Sequence, residues 1–569
     1  MQQNTDRICS TAWREKMPDG TTSKTENIRQ LCRRLRPILG NKMNQVFEAY
    51  CTEDAEGKQQ VETYLEILCA KYLPAGLDES QPGLIPPSEK QAYGPYTIGT
   101  VCYVGKSLYD FGLRESEWIQ HVGVFGRSGA GKTNIGFVIL KQLQDKGKPV
   151  LIFDWKRNYR DLLALPEFKA IEVYTIGRNI APFTFNPLIP PKGTNPKTWL
   201  KKLIEVIAHA YLLGNGVMYL LQEAVDSVYE QAGVYSGKVQ RWPTFRDVLS
   251  KAKNRDARGR EAGWLSSTLR ALASLCFGDM DTLVNTGENQ NLEHLLSKTA
   301  ILELDALTQQ DKIFFIEALL LWIHHRRMIE KQRETLKHCI LIEEAHHIFS
   351  GERRSLVGGQ SVMEITFREI REFGESLIIL DQHPSQISLP ALGNTYCTIC
   401  MNLKHKTDIN AMAQCLLLDK EKDLLGSLKV GQAIVKLQGR IARPFQIKVP
   451  EFVVEKGKVT DAWIQEHMQH IAPALPDQEF PTVRAVLNSK AMENTDNEIA
   501  FLKDVQEYPE SGIAARYKRL DMSVRQGQKL KAKLLENELI EEYQETTKTG
   551  RLRVIRLAEK GNALLSKVE

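Results

Sequence analysis

The chain has 569 residues, 42% of them hydrophobic and 25% charged, with a formal net charge of +5. That length exceeds one ordinary core and points to roughly two to four domains; the near-neutral balance gives no argument for nucleic acid from bulk charge. Ten cysteines without a framework spacing fit a reducing compartment and argue against a disulfide scaffold.

No apolar stretch follows Met1, so no secretory signal is expected. Residues 1–95 are expected to be mostly helical, because "TENIRQLCRRLRPIL" and "QQVETYLEILCAKYL" space their apolar residues at the helical period. The proline- and glycine-bearing run 73–90 closes that segment, and "YTIGTVCYVG" from residue 96 reads as strand, turn, strand. Between 96 and 450 short apolar runs alternate with helical ones, the pattern of an α/β core with a parallel sheet. "HVGVFG", "PVLIFD", "AILELD", "CILIEE" and "SLIILDQ" are the expected strands, and "KTNIGFVILKQLQDKG" is a helix stopped by Gly147. Residues 195–297 read as a helical insertion. "IFFIEALLLWI" (313–323) contains Glu317 and falls short of the roughly 20 apolar residues a bilayer requires, so it reads as a buried helix. The chain is expected to be cytoplasmic, with no membrane partner. "GQAIVKLQG" and "PFQIKVP" close the core, and 451–498 form a connecting segment without a motif.

Two stretches carry chemistry. Gly126-Arg127-Ser128-Gly129-Ala130-Gly131-Lys132-Thr133 fits G-x-x-x-x-G-K-[ST], with a strand before it and a helix after it. Such a loop turns backbone N–H groups onto phosphate oxygens at a helix N-terminus. Lys132 is expected at the β/γ-phosphates, Thr133 on magnesium, and the nucleotide contacts run on to Asn134. "HCILIEEAHHIF" supplies the second stretch: Glu343 to support magnesium and Glu344 to activate water. His346 and His347 lack a metal-ligand spacing and read as residues packed beside the site. Cys397 and Cys400 are read as structural. ATP and magnesium are the expected cofactors.

"HVGVFGRSGAGKTN", "VLIFDWKRNYRDL", "CILIEEAHHIF" and "REIREFGESLIILDQHPSQI" occur in this order and at the spacing of the HerA/FtsK ATPases, and the chain resembles the HerA-like members most. The resemblance covers about 96–450 and departs at Trp155, where the family often has proline. It implies a RecA-like P-loop NTPase core that assembles as a ring, usually a homohexamer, around DNA. It also implies that Asp154 lies beside the nucleotide, that Gln382 is a polar sensor, and that Arg371 reaches the next subunit's γ-phosphate. Lys156 and Arg157 have weaker claims. In the family an N-terminal β-barrel helps dock a partner nuclease, and the first 90 residues here show no such barrel pattern.

From Gly512 to Glu569 the chain holds 13 basic and 8 acidic residues. Residues 499–569 read as helix, turn, helix and a two-stranded ribbon, and resemble a winged helix-turn-helix. The turn is expected near Asp521-Met522-Ser523, with Ser523 as N-cap, and the hairpin at Lys548-Thr549-Gly550. Arg525, Lys529 and Lys533 recur at a four-residue spacing on one helix face, and Arg551 and Arg553 lie on the wing, a footprint suited to phosphates. Arg353 and Arg354, among glycines in 350–361, are candidates for a pore loop. The expected function is an ATP-driven DNA translocase or helicase-like motor working with a nuclease in end processing or antiviral defence. The rival is an ATP-gated scaffold that assembles a partner effector without pumping DNA.

Overall fold

The computed structural model describes residues 21–73, 84–351, 361–418, 421–472, 495–520, 522–547 and 550–565. Arg353, Arg354, Asp521, Lys548 and Thr549 lie outside them. The chain divides into two compact units, Met1–Ala252 with Asp256–Gln478, and Lys253–Arg255 with Glu479–Glu569.

The first unit opens with three helices, Thr21–Leu39, Lys42–Thr52 and Ala55–Tyr72. Ile28, Leu35, Met43, Tyr50 and Leu65 from their inward faces form one apolar cluster. The strands that follow are β1 (Tyr96–Tyr103), β2 (Lys106–Leu113), β3 (Val122–Phe125), β4 (Val150–Asp154), β5 (Glu172–Thr175) and β6 (Ala300–Glu303). Then come β7 (His338–Glu343), β8 (Glu375–Asp381), β9 (Cys397–Cys400), β10 (Gln432–Leu437) and β11 (Phe445–Lys448). They form one eleven-stranded sheet in the order β2-β1-β11-β10-β9-β3-β8-β7-β4-β6-β5. From β9 to β5 every neighbouring pair is parallel, and the four strands on the other side pair antiparallel.

Every residue of β3, β4, β7 and β8 is buried, as expected for a parallel sheet covered on both faces. The order of the middle strands positions the chemistry. β3 lies between β9 and β8, with β7 and then β4 beyond, so their carboxyl ends form one continuous edge. Phe125 pairs with Asp381, and Glu343 with Leu380.

The expected turn within 96–105 falls at its end. β1 runs through Gly99, where a Cβ would approach the Lys448 carbonyl oxygen to 2.7 Å, and the chain reverses at Val104-Gly105 with φ of 49° and 73°. Residues 196–297 are helical between turns, from Pro196–Tyr211 to Leu292–Ser297. The apolar run at 313–323 belongs to the helix Gln309–Met328 and is buried, Glu317 included. Among the described residues no helix is long and apolar enough to cross a membrane.

Beyond β11 the chain folds back over the core. Asp161 accepts hydrogen bonds from the backbone N–H groups of Gly457 (2.8 Å) and Val459 (3.0 Å). Arg160 holds Asp461 at 2.7 Å while gripping the fully buried Glu303. What read as a connecting segment is, as far as residue 472, part of the first unit.

The second unit contains the helices Thr495–Glu507, Ile513–Arg519 and Val524–Glu536, an antiparallel ribbon of β12 (Ile540–Thr547) and β13 (Gly550–Leu557), and the helix Glu559–Leu565. Phe501, Leu502, Tyr517, Leu534, Ile540 and Ile555 make its core. A Cβ on Gly527 would meet the Tyr517 ring at 2.3 Å, so glycine permits the second and third helices to cross closely. Arg516 is fully buried against Asp504 at 2.9 Å, with backbone carbonyls accepting its other N–H groups.

Candidate functional site

The loop after β3 is seated between two strand ends. Gly126 N donates to the Asp381 carbonyl at 3.1 Å, and Arg127 N to the Asn402 carbonyl at 2.7 Å. Gly129 and Gly131 take φ of 75° and 111°, which side chains disfavour, and a Cβ on Gly126 would press on Met401 at 2.9 Å. The helix Lys132–Asp145 starts at the end of this turn. Lys132 curls back, donating to the carbonyls of Gly126 (2.7 Å) and Arg127 (3.1 Å). Burial lowers the pKa of its ammonium, and the negative charges of Glu344, Asp381 and Glu343 oppose that shift. Arg127 is fixed sideways, its Nε donating to Asn402 Oδ1 at 2.6 Å.

Carboxylates crowd the neighbouring strand ends. Asp154 is fully buried at the end of β4 and accepts backbone N–H groups from Lys156 (3.0 Å) and Tyr159 (2.9 Å). Glu343 ends β7 and accepts from Asn158 Nδ2 at 3.3 Å. Burial raises the pKa of both acids; the charge of Asp154 raises that of Glu343 further, and the backbone bonds restrain Asp154. A cation at this edge would relieve that crowding.

Glu344 is held differently. Its backbone is left-handed, φ 50° and ψ 45°, an unusual conformation for a residue with a side chain. Its Oε1 accepts from Lys156 Nζ at 2.7 Å and from Gln382 Nε2 at 2.6 Å. Burial pushes its pKa up, but these two donors prevail and hold it below the ordinary glutamate value. Oε2 is buried, with no hydrogen-bond partner among the described residues.

The fold thus brings Lys132, Glu343, Glu344, Gln382 and Asp154 to one edge, with Thr133 in the first turn of the loop helix. The Asn134 amide donates to the Pro450 carbonyl (2.8 Å) and accepts from Phe452 N (2.7 Å), so in this structure it anchors the returning chain. Arg371 is exposed ahead of β8, at the opposite end of the sheet from the phosphate loop, on the side of His121. Lys533 pairs with Glu498, whereas Arg525 and Lys529 are exposed on the same helix. Arg551 and Arg553 lie in β13, opposite Thr546 and Gln544.

Sequence reasoning missed Asp381 and the contacts that tie its neighbours to the site. His346, read as a packing residue, donates backbone N–H to Asp381 Oδ2 at 2.7 Å, has its ring Nδ1 2.9 Å from the same oxygen, and lies 3.8 Å from Glu344 Oε2. Asp381 is fully buried. Lys156 meets Glu344 across 188 positions of sequence. His347 stacks on Trp155 with ring centroids 4.9 Å apart. The aspartate ending an apolar strand beside the quoted Gln382 was the available signal for Asp381.

Residues 97–321 match the family model described as "Helicase HerA, central domain". "Probable helicase MJ1565" of Methanocaldococcus jannaschii is 23% identical over 342 residues, 58% of this chain and 63% of that protein, so the match spans less than two thirds of the relative. Among solved structures, VirB4 of Thermoanaerobacter pseudethanolicus aligns with a TM-score of 0.49 and 16% identity, over 62% of this chain and 96% of that one. Plasmid coupling protein TrwB in complex with ADP and Mg2+ aligns with a TM-score of 0.45 and 9% identity, over 63% of this chain and 91% of the other.

Proposed function

We propose that this chain, whose residues 97–321 match the HerA central-domain model, is a HerA-type P-loop ATPase acting as an ATP-hydrolysing, ring-forming DNA translocase of the cytoplasm. Its partner is a nuclease in DNA end processing or defence against foreign DNA. The observation that carries this reading is the convergence of Lys132, Glu343, Glu344 and Gln382 on one strand edge.

The residues present fit a nucleotide and a divalent cation. The glycine turn admits phosphate oxygens where a Cβ on Gly126 would press on Met401, and at the ends of β4 and β7 burial raises the pKa of both acids, with the charge of Asp154 adding to that of Glu343. Thr133 and Glu343 would hold magnesium, which supplies positive charge to the phosphate oxygens. Lys132 leaves the Gly126 and Arg127 carbonyls for the β/γ-phosphates. Glu344 takes a proton from the attacking water through Oε2, the oxygen with no hydrogen bond, while Gln382 and Lys156 fix Oε1. The water oxygen bonds to the γ-phosphorus, and the bond to ADP breaks. Arg371 serves the site of the adjoining copy. The second unit is a winged helix-turn-helix; Arg525 and Lys529, with Arg551 and Arg553 of the ribbon, meet DNA phosphates, and Arg353 and Arg354 contact DNA in the channel.

One observation favours the scaffold reading. Lys531 pairs with Glu542 and Lys533 with Glu498, leaving the third helix of the second unit less basic than its sequence, as suits protein docking. ATP turnover measured with and without duplex DNA separates the two. The motor requires several-fold stimulation by duplex; stimulation by a copurifying protein alone would replace it with the scaffold.

A further inference from the structure

We propose that His346, fixed by Asp381, is a positioning residue for Glu344, keeping Oε2 as the oxygen turned to the reacting water. The inference rests on the reading of Glu344 as the base.

The two oxygens of Glu344 have unequal surroundings. Oε1 is engaged by Lys156 and Gln382, whereas Oε2 is buried with no hydrogen bond and faces His346 Nδ1 at 3.8 Å. That separation is too long for a hydrogen bond, so Oε2 keeps its lone pairs while the imidazole edge sets where it lies. His346 has little freedom to move. Its ring nitrogen and its backbone N–H both meet Asp381 Oδ2, at 2.9 and 2.7 Å. Its ring packs on His347 and His383, with centroids 4.0 and 5.6 Å away. Asp381 is fixed in turn: it ends β8, its Oδ1 accepts from His383 N at 2.6 Å, and its carbonyl accepts from Gly126 N at 3.1 Å. A short chain of fixed groups therefore runs from the first glycine of the phosphate loop through Asp381 and His346 to Glu344.

Glu344, His346 and Asp381 each place one potential metal-ligating atom within 4.8 Å of the others. Within the cluster Asp381 Oδ2 meets two nitrogens of His346 and Glu344 Oε1 meets Lys156 and Gln382, while Oε2 stays open. The cluster acts as a brace for the base.

The test is a set of full-length variants assayed for steady-state ATP turnover and, separately, for affinity toward a fluorescent ADP. His346→Asn can return an N–H near the Nδ1 position and satisfy Asp381; His346→Gln carries its amide one methylene further, and His346→Phe keeps only the ring. Expected is a loss of about tenfold in kcat for H346F and H346Q with KM and ADP affinity within about twofold, and recovery of most of that loss in H346N. In a Glu344→Gln background H346F should add no further loss, because a residue that works through Glu344 has nothing left to position. Equal rates in H346N and H346Q overturn the proposal even if H346F fails to fold, as does a multiplicative loss in the double variant. Normal turnover in H346F beside an inactive E344Q removes His346 alone; normal turnover in E344Q removes the base reading itself.

Discussion

Glu344 combines a left-handed backbone with a side chain held at one oxygen and bare at the other. Left-handed backbone costs a non-glycine residue roughly 1–2 kcal/mol, and such strain persists where surrounding contacts over-determine the conformation. Here Lys156, Gln382 and the short turn Ala345–His347 do so. Glu344→Gln preserves volume and the contact to Lys156 but removes the proton acceptor. It should bind ATP with unchanged affinity and hydrolyse it about 10²–10⁴-fold more slowly, read by single-turnover kinetics beside a binding titration. At this scale the sequence was partly legible. The phosphate loop is contiguous, so its spacing announces its chemistry. Lys156 and Glu344 meet only because β4 and β7 are neighbours, and no local pattern records that pairing. His346 packs beside the site as its sequence suggests, but its partner Asp381 lies 35 positions away on β8 and escaped notice for the same reason.

The middle strands were legible as elements because each is a buried apolar run ending in polar groups. β5 was not, being four residues long with Glu172 inside it, buried where His294 lies 2.7 Å away. The return segment after β11 was also opaque. Its own sequence has no period, and the side chains that hold it belong to other elements: Asn134 on the loop helix, Arg160 and Asp161 after β4. This gives Asn134 a stability role. Asn134→Ala removes hydrogen bonds of 2.8 and 2.7 Å to a backbone otherwise held by neighbours. The expected cost is about 1–2 kcal/mol, seen as a lower unfolding midpoint. An unchanged midpoint with lost nucleotide affinity would instead assign Asn134 to the phosphate site.

For the whole molecule, the decisive arrangement is which end of the sheet each group occupies. Lys132 and Glu344 stand at the carboxyl ends of β3 and β7, whereas Arg371 precedes β8 and lies on the side of His121, where β3 begins. A side chain cannot cross the length of a packed strand, so Arg371 cannot serve the phosphate loop of its own chain. If it stabilises a transition state, it does so in another copy, and each site is a composite. Lys132→Ala and Arg371→Ala should each lose ATP turnover, by up to about 10³–10⁵-fold for a full arginine finger. They fail for different reasons: the lysine variant retains a working arginine, and the arginine variant a working loop. Mixing the two under conditions that allow exchange of copies should create some junctions with both intact parts, and turnover should rise above the sum of the separate variants. A titration of one variant into the other should give a maximum at intermediate ratios. A flat line at every ratio, with exchange verified by a tagged copy, would remove Arg371 from the composite site and the assembled motor would need another cation.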